Sequence, residues 1–349
     1  MATAGGDIAA GAAAGAGDPE AYAADAMRRI ERAALEERLD ATERPSFAAD
    51  FHEFANTFFT GSDAPQHPPV LSGIAALDAH IGGFFVGLVS IIAGRPSMGK
   101  SALVKSVVAN ACVRGEPCLV VSFEEGRREF YSRIMAAEAR VENRTVYAGK
   151  PSLEERRRIG SAVDPIKTWP LVFVRAEHQT AEQVRLEVKR AKATYPGLRL
   201  VAVDHIQRTQ QSRADGNRNL EIEATVNALA ATAAEFDVAM VVAAQIRRPA
   251  PSEKGQRPSL TDLKDSGSLE QTARLVLFPW RPSHGDGAKS VMGERAEIIV
   301  GKMNNGSPGT IAVTYDGPYT LWRDRDDGPP AVGHFPTSGA TSDPREKEG

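Results

Sequence analysis

Residues Gly94, Arg95, Pro96, Ser97, Met98, Gly99, Lys100 and Ser101 set two glycines, a lysine and a hydroxyl at the spacing G-x-x-x-x-G-K-[ST]. Each residue type suits the holding of phosphates. Gly94 and Gly99 let the main chain wrap closely, so that N–H groups and a helix N-terminus face an anion. Lys100 is placed to bridge the β- and γ-phosphates of a nucleoside triphosphate, and Ser101 to hold Mg²⁺. The flanking sequence agrees with this chemistry. An apolar, β-branched run from Leu88 to Ala93 precedes the motif, and Ala102 to Val108 continues it as a helix without a breaker.

A phosphate loop needs carboxylates for the cation and for water. Leu200 to Val203 is an apolar run that ends in Asp204, which sets a carboxylate at a strand C-terminus beside the loop as a second Mg²⁺ holder. A further run, Val120 to Phe123, is followed by Glu124 and Glu125. One of these acids is suited to orient or deprotonate an attacking water, and both equally suit a helix N-terminus, where acids meet the dipole. Met240 to Ala244 ends at Gln245, a neutral group that either senses the γ-phosphate or satisfies strand-end backbone.

These residues must be carried by strands and helices in alternation. Candidate strands are 88–93, 118–123, 171–174, 199–203, 238–243, 275–278, 296–301 and 310–314, with helical stretches near 101–113, 127–139, 152–163, 180–194 and 219–236. The pattern predicts an α/β fold, a mostly parallel twisted sheet with helices on both faces. Asn304, Asn305 and Gly306 predict the turn of a C-terminal β-hairpin at the sheet's edge. Residues 1–19 are Ala/Gly-rich and expected to be disordered, 20–61 form a short helical extension, 62–69 a Pro-rich linker, 70–323 the NTPase domain, and 324–349 a disordered tail. Within the extension, Phe47, Phe51, Phe54 and Phe58 mark one face of a helix over 46–60. That stripe either packs on its own subunit or docks into a neighbouring one.

Composition narrows the function classes. The 42 Lys and Arg nearly balance the 45 Asp and Glu, so any nucleic-acid site must be a local patch. Cys112 and Cys118 have no partners at metal spacing and read as core residues of a reducing compartment. No apolar run approaches the roughly 18 residues of a membrane helix, and no signal peptide opens the chain, so a cytoplasmic protein without a membrane partner is expected.

The segments Gly94–Ser101, Ser122–Glu125, Asp204–Gln207, Gln245–Arg248, Asp262–Gln271 and Ile298–Gly306 occur in that order. Together they resemble the C-terminal motor domain of the DnaB family of hexameric replicative helicases, which has a RecA-like P-loop NTPase fold. The resemblance covers about residues 70–323, and Asp262–Gln271 is its most specific part. It implies ATP and Mg²⁺ as cofactors and a homo-hexameric ring that moves on single-stranded DNA in replication, with a primase or helicase loader as further partner. It implies that Glu124 polarises water and that Gln245 couples nucleotide state to the DNA loops. Lys264, Asp265 and Gly267 would contact DNA phosphates. One lysine per subunit around a ring makes a basic channel without a basic chain.

Three departures bear on activity. The family's last motif carries Lys-x-Arg, whose arginine enters the neighbour's site, whereas here Lys302 is followed by Met303 and Asn304. An arginine finger is worth on the order of 10³–10⁵ in rate in other NTPases, which leaves Lys302, Arg281 or Arg274 to supply the charge. Lys264 and Asp265 stand where the family has Arg and Glu, which keeps charge but loses the bidentate phosphate contact. Residues 1–61 are too few for the family's globular N-terminal domain. The alternative expectation is therefore an ATP-binding, DNA-associated ring with weak hydrolysis and no unwinding. A recombinase- or clock-type relative is a third, against which the Asp262–Gln271 segment argues.

Overall fold

Val89–Gly94 (β1) is buried along its whole length, so it has no polar face and needs cover on both sides. The computed structural model describes residues 51, 68–176, 180–204, 218–246, 255–266, 271–283 and 290–326. The chain divides into two units, Met1–Gln66 and His67–Gly349. Of the Phe-striped segment only Phe51 is described, as helical, so the helix expected over 46–60 and the choice between packing and docking lie otherwise outside the described residues, as do the termini 1–50 and 327–349.

In the second unit Ala75–Ile81 (α1) precedes β1, and Lys100–Val113 (α2) follows it. Next come Cys118–Ser122 (β2), then Arg127–Ala139 (α3), Asn143–Ala148 (α4) and Leu153–Lys167 (α5). Leu171–Arg175 (β3), Ala181–Thr194 (α6), Leu200–Asp204 (β4), Arg218–Glu235 (α7) and Ala239–Gln245 (β5) complete the alternating part. A 3₁₀ turn, Leu260–Ser266, leads to Leu275–Trp280 (β6), Glu294–Met303 (β7), Gly309–Asp316 (β8) and Leu321–Arg323 (β9). The nine strands form one sheet in the order β3-β2-β4-β5-β1-β6-β7-β8-β9. Pairings from β3 to β6 are parallel, and those from β6 to β9 antiparallel.

The parallel strands put alternate residues on opposite faces. Ile92, Val120, Ala202, Val241 and Leu277 pack with Leu103, Val107 and Phe130 of α2 and α3. Ile91, Val121, Val203, Val242 and Phe278 pack with Val184, Val188, Val226 and Leu229 of α6 and α7. Helices thus cover both faces, as the alternation predicts. Because β1 lies beside β5 and β6, and β5 beside β4, the C-terminal ends of β1, β5, β4 and β2 line one edge. Their register aligns Gly94 with Gln245, Asp204 with Ala243, and Ser122 with Asp204.

Three elements escape the sequence pattern. The helices α1 and α4 span only 7 and 6 residues, too short to show a period. The three-residue strand β9 sits where the domain was expected to end, and it pairs outside β8. The β7–β8 hairpin turns at 304–306 as expected but is not the outermost edge, which β9 forms. In β7, Val276 pairs Lys302 while Leu277 pairs Val300, leaving Gly301 as an extra, bulged residue under Phe278. A Cβ on Gly301 would fall 2.5 Å from the Phe278 ring. Gly301→Ala is therefore expected to destabilise the fold by about 1–3 kcal/mol through overpacking, measured as a lower urea midpoint with an unchanged m-value.

Candidate nucleotide site

The phosphate loop owes its shape to two backbone positions and two outside side-chain donors. Ser97 and Gly99 take positive φ values of 64° and 90°. Gly99 is the N-cap of α2, and a Cβ there would lie 3.0 Å from the Trp322 indole. Within the loop, Arg95 O accepts from Met98 N at 3.3 Å. Ser97 O accepts from Arg281 Nη1 at 3.1 Å, and Gly99 O from Trp322 Nε1 at 3.0 Å. The loop's carbonyls are thus held from outside, while the first-turn amides of α2 have no intrahelical acceptor. Those amides are what an anion would meet.

Arg281 is 2% exposed. Its Nη2 lies 2.6 Å from Glu294 Oε2, and its Nη2 donates to Ser290 Oγ at 2.6 Å. Its guanidinium stacks 4.3 Å from the Tyr315 ring centroid, and Tyr315 packs on Trp322 at 4.9 Å between centroids. Arg281 is therefore a brace inside its own subunit, which corrects the expectation that it could reach into a neighbour. Neither Arg281 nor Trp322 belongs to a phosphate-loop pattern. Only the tertiary fold, with β9 brought back over α2, shows their role.

Lys100 sits at the centre of the sheet edge. Burial pulls its ammonium below the ordinary lysine range, while the nearby carboxylates of Asp204 and Glu124 pull it back. Position alone left Glu124 and Glu125 open and the family resemblance pointed to Glu124; the structure gives the two acids different surroundings. Glu125 is buried, with Oε2 at 2.7 Å from Lys105 Nζ and Oε1 at 2.6 Å from Arg133 Nη1. The Lys105 contact is an ion pair lying off the line of a well-directed hydrogen bond. Glu124 is solvent-exposed and acts on Lys100. Ser122 Oγ pins the turn between them, accepting from Glu125 N at 3.0 Å and donating to Glu125 O at 3.1 Å.

Asp204 ends β4, and its carbonyl accepts from Phe123 N at 2.7 Å. Its Oδ1 is buried without a hydrogen-bond partner. Among the described residues no group of three or more His, Cys, Asp or Glu could hold a metal ion alone. A lone buried carboxylate oxygen near Lys100 suits Mg²⁺, which takes few protein ligands and fills its shell with phosphate oxygens and water. Gln245 lies level with Gly94, and Ile246 N donates to Gly94 O at 3.3 Å.

The remaining candidates lie elsewhere. Lys264 and Asp265 fall in the 3₁₀ turn Leu260–Ser266, but their side chains and the whole of Gly267 lie outside the described residues. Arg95 reaches toward that turn, donating through Nη1 to Gln256 O at 2.9 Å, with Nη2 4.0 Å from Asp262 Oδ2. Lys302 is not brought to Lys100. It pairs with Val276 near the opposite end of β6, and its Nζ lies 3.4 Å from Gln271 O.

The family model described as DnaB-like helicase C terminal domain matches residues 69–324. The chain belongs to that family. The replicative DNA helicase DnaB of Haemophilus influenzae is 32% identical over 254 residues, which cover 72% of this chain and 54% of that protein. The DnaB of Buchnera aphidicola subsp. Acyrthosiphon pisum is 31% identical over 229 residues, 65% of this chain and 50% of that one. The chain spans about half the length of the curated relatives it matches. A solved DnaB-like replicative helicase, described with its interactions with primase, superposes with a TM-score of 0.70 at 23% identity, covering 85% of this chain and 72% of that one. A solved ATPase domain superposes at 0.73, covering 81% of this chain and all of that one. The DnaB-family motor fold is thereby shown, RecA-like as the motifs implied. No described helix is long and apolar enough to cross a membrane.

Two expectations follow for this DnaB-family domain. Phosphate beside Lys100 adds opposite charge and raises its proton affinity, so nucleotide binding on the alkaline side of neutrality should take up protons. Titration calorimetry in buffers of different ionisation enthalpy measures the uptake. Lys100→Arg, whose guanidinium stays charged, should bind without it. Separately, Lys105→Met leaves Glu125 with Arg133 as its remaining cation and should cost less than the about 3–5 kcal/mol of an unpaired buried charge, whereas Lys105→Met with Arg133→Met strands Glu125 and should cost that full amount in chemical denaturation.

Proposed function

We propose that this chain is the ATP-driven motor of a DNA helicase or translocase of DnaB type, working as a homo-hexameric ring on single-stranded DNA in replication. The observation that carries the reading is the gathering of Lys100, Asp204 and Glu124 at one sheet edge, beside a loop whose carbonyls are tied away from it. In this reading the first-turn amides of α2 and Lys100 bind the β- and γ-phosphates of ATP. Glu124 orients the attacking water and accepts its proton. Ser101 and Asp204 would hold Mg²⁺, which neutralises charge across the β- and γ-oxygens when bound.

Gln245, level with Gly94, is the residue by which phosphate occupancy would be felt at the end of β5. The segment of Lys264, Asp265 and Gly267 would contact DNA phosphates, and the link of Arg95 to Gln256 and Asp262 just before it supports that coupling. The opposite-edge position of Lys302 supports a role toward a neighbouring copy rather than its own nucleotide. A primase or a loader is the partner class we assign, and the cytoplasm the compartment.

Asn304 favours a second reading, a ring that binds ATP and hydrolyses it weakly without unwinding. Turnover and unwinding of a forked duplex, with and without single-stranded DNA, separate the two. The motor reading expects DNA-stimulated turnover and unwinding, both lost in Lys100→Ala. ATP binding with negligible turnover and no unwinding would sink it.

A further inference from the structure

Transfer of a γ-phosphoryl group spreads negative charge over its equatorial oxygens, and a guanidinium beside them is worth on the order of 10³–10⁵ in rate. The two described arginines that touch the phosphate loop's surroundings are both committed. Arg95 is 8% exposed and turned to Gln256 O and Asp262. Arg281 is held by Glu294, Ser290 and Ser97 O.

Another arginine stands at the far edge of the same sheet. Leu275 pairs with Met303, and one step further Asn304 N donates to Arg274 O at 3.1 Å. Arg274 and Asn304 therefore oppose each other at the end of the β6–β7 ladder. Residues so opposed project from the same face, with Cβ atoms about 4.5–5.5 Å apart. A side chain launched from 274 can consequently reach the space that one launched from 304 would reach. The Arg274 guanidinium is also pre-set. It lies over the Phe85 ring at 4.4 Å from the centroid. With the Asn305 amide assigned by its hydrogen bonds, its oxygen accepts from Arg274 Nη2 at 3.1 Å, and its nitrogen donates to Asn304 O at 3.3 Å. The hairpin turn thus meets this arginine twice, Asn304 through its backbone amide and Asn305 through its side chain.

Arg274 has no route to its own chain's nucleotide. Arg274 N donates to Val89 O at the first residue of β1, whereas the phosphate loop begins at Gly94, the last residue of that strand. Five residues of extended chain separate the two levels by roughly 17 Å. In a closed head-to-tail ring, however, opposite surfaces of successive copies meet.

We propose that Arg274 is the arginine with which each copy reaches the nucleotide of the next, entering from strand β6 because residue 304 on β7 is asparagine. The inference rests on the ring-motor reading above. Arg274 forms no covalent bond in the step. Water oxygen bonds to the γ-phosphorus, the bond to the leaving ADP oxygen breaks, Glu124 takes the water proton, and the guanidinium offsets the charge that builds on the γ-oxygens. Lys302, across from Val276 on the same ladder, adds a second cation to that surface.

The test uses the full chain. Arg274→Ala should keep nucleotide affinity near that of the parent while ATP turnover falls on the order of 10³-fold. Adding Asn304→Arg to that variant should restore most of the turnover, because the guanidinium returns to the same face. Mixed rings of Arg274→Ala and Lys100→Ala subunits should turn over although neither variant does alone, since the Lys100→Ala subunit lends its Arg274 to an intact neighbouring site. Phe85→Leu, which removes the stacking partner but keeps the arginine, separates packing from chemistry and should retain turnover within about tenfold of the parent. Arg274→Ala turnover equal to that of the parent would overturn the proposal. So would a loss that neither Asn304→Arg nor subunit mixing recovers, or an equal loss in Phe85→Leu. A parent that binds ATP but does not turn it over would instead sink the motor reading, and this proposal with it.

Discussion

The orientation of two peptide units governs this site. Each peptide is planar, so a carbonyl fixed on one side aims the following N–H to the other. The Gly99 carbonyl accepts from Trp322 Nε1 and from Leu103 N of α2, and the same rigid unit turns the Lys100 amide the opposite way. Arg281 holds the Ser97 carbonyl, whose peptide unit directs the Met98 amide back to Arg95 O, and it does so because Glu294 and Tyr315 hold its guanidinium in place. The loop's shape thus depends in part on a buried ion pair and an indole in the antiparallel part of the sheet. The parallel strands present the loop, and the antiparallel strands keep its polarity.

Charge is sorted around this loop by depth. Glu125 is drawn inward by Lys105 on α2 and by Arg133 on α3. Glu124, the next residue back, is left in solvent at the edge where Lys100 lies. A buried pair of this kind contributes little net stability, because desolvation offsets its attraction. Its effect is on direction, since anchoring one of two adjacent acids decides which way the other points. The same sorting puts Arg95 and Arg281 under structural restraint and leaves Arg274 at the far edge.

Much of this was legible in the residues themselves. The glycine loop, Asp204 at a strand end and the strand–helix alternation each rest on local rules, and local rules survive folding. The parallel order and the two-faced cover followed from strands lacking a polar side. What the sequence could not show depended on distance along the chain. Nothing near Trp322 hints that its indole meets residue 99, and Arg281 read as a free cation until its four partners were placed around it. Residue types alone left Glu124 and Glu125 undivided, and only the resemblance pointed to Glu124, because Lys105 and Arg133, which hold Glu125, belong to different helices. The strand β9 is too short to carry a pattern, and its position comes from pairing with β8.

The Trp322–Gly99 hydrogen bond spans 223 residues of sequence. Chains emerge from the ribosome N-terminus first, so the phosphate loop is made long before the indole that finishes it. Until β9 is exposed beyond the exit tunnel, the Gly99 carbonyl has the Leu103 amide of α2 but lacks this second anchor. Full bracing of the loop is accordingly a late event in the making of the chain, tied to completion of the domain rather than to synthesis of the motif. A nascent chain still held by the ribosome carries the letters of the loop without all of its braces.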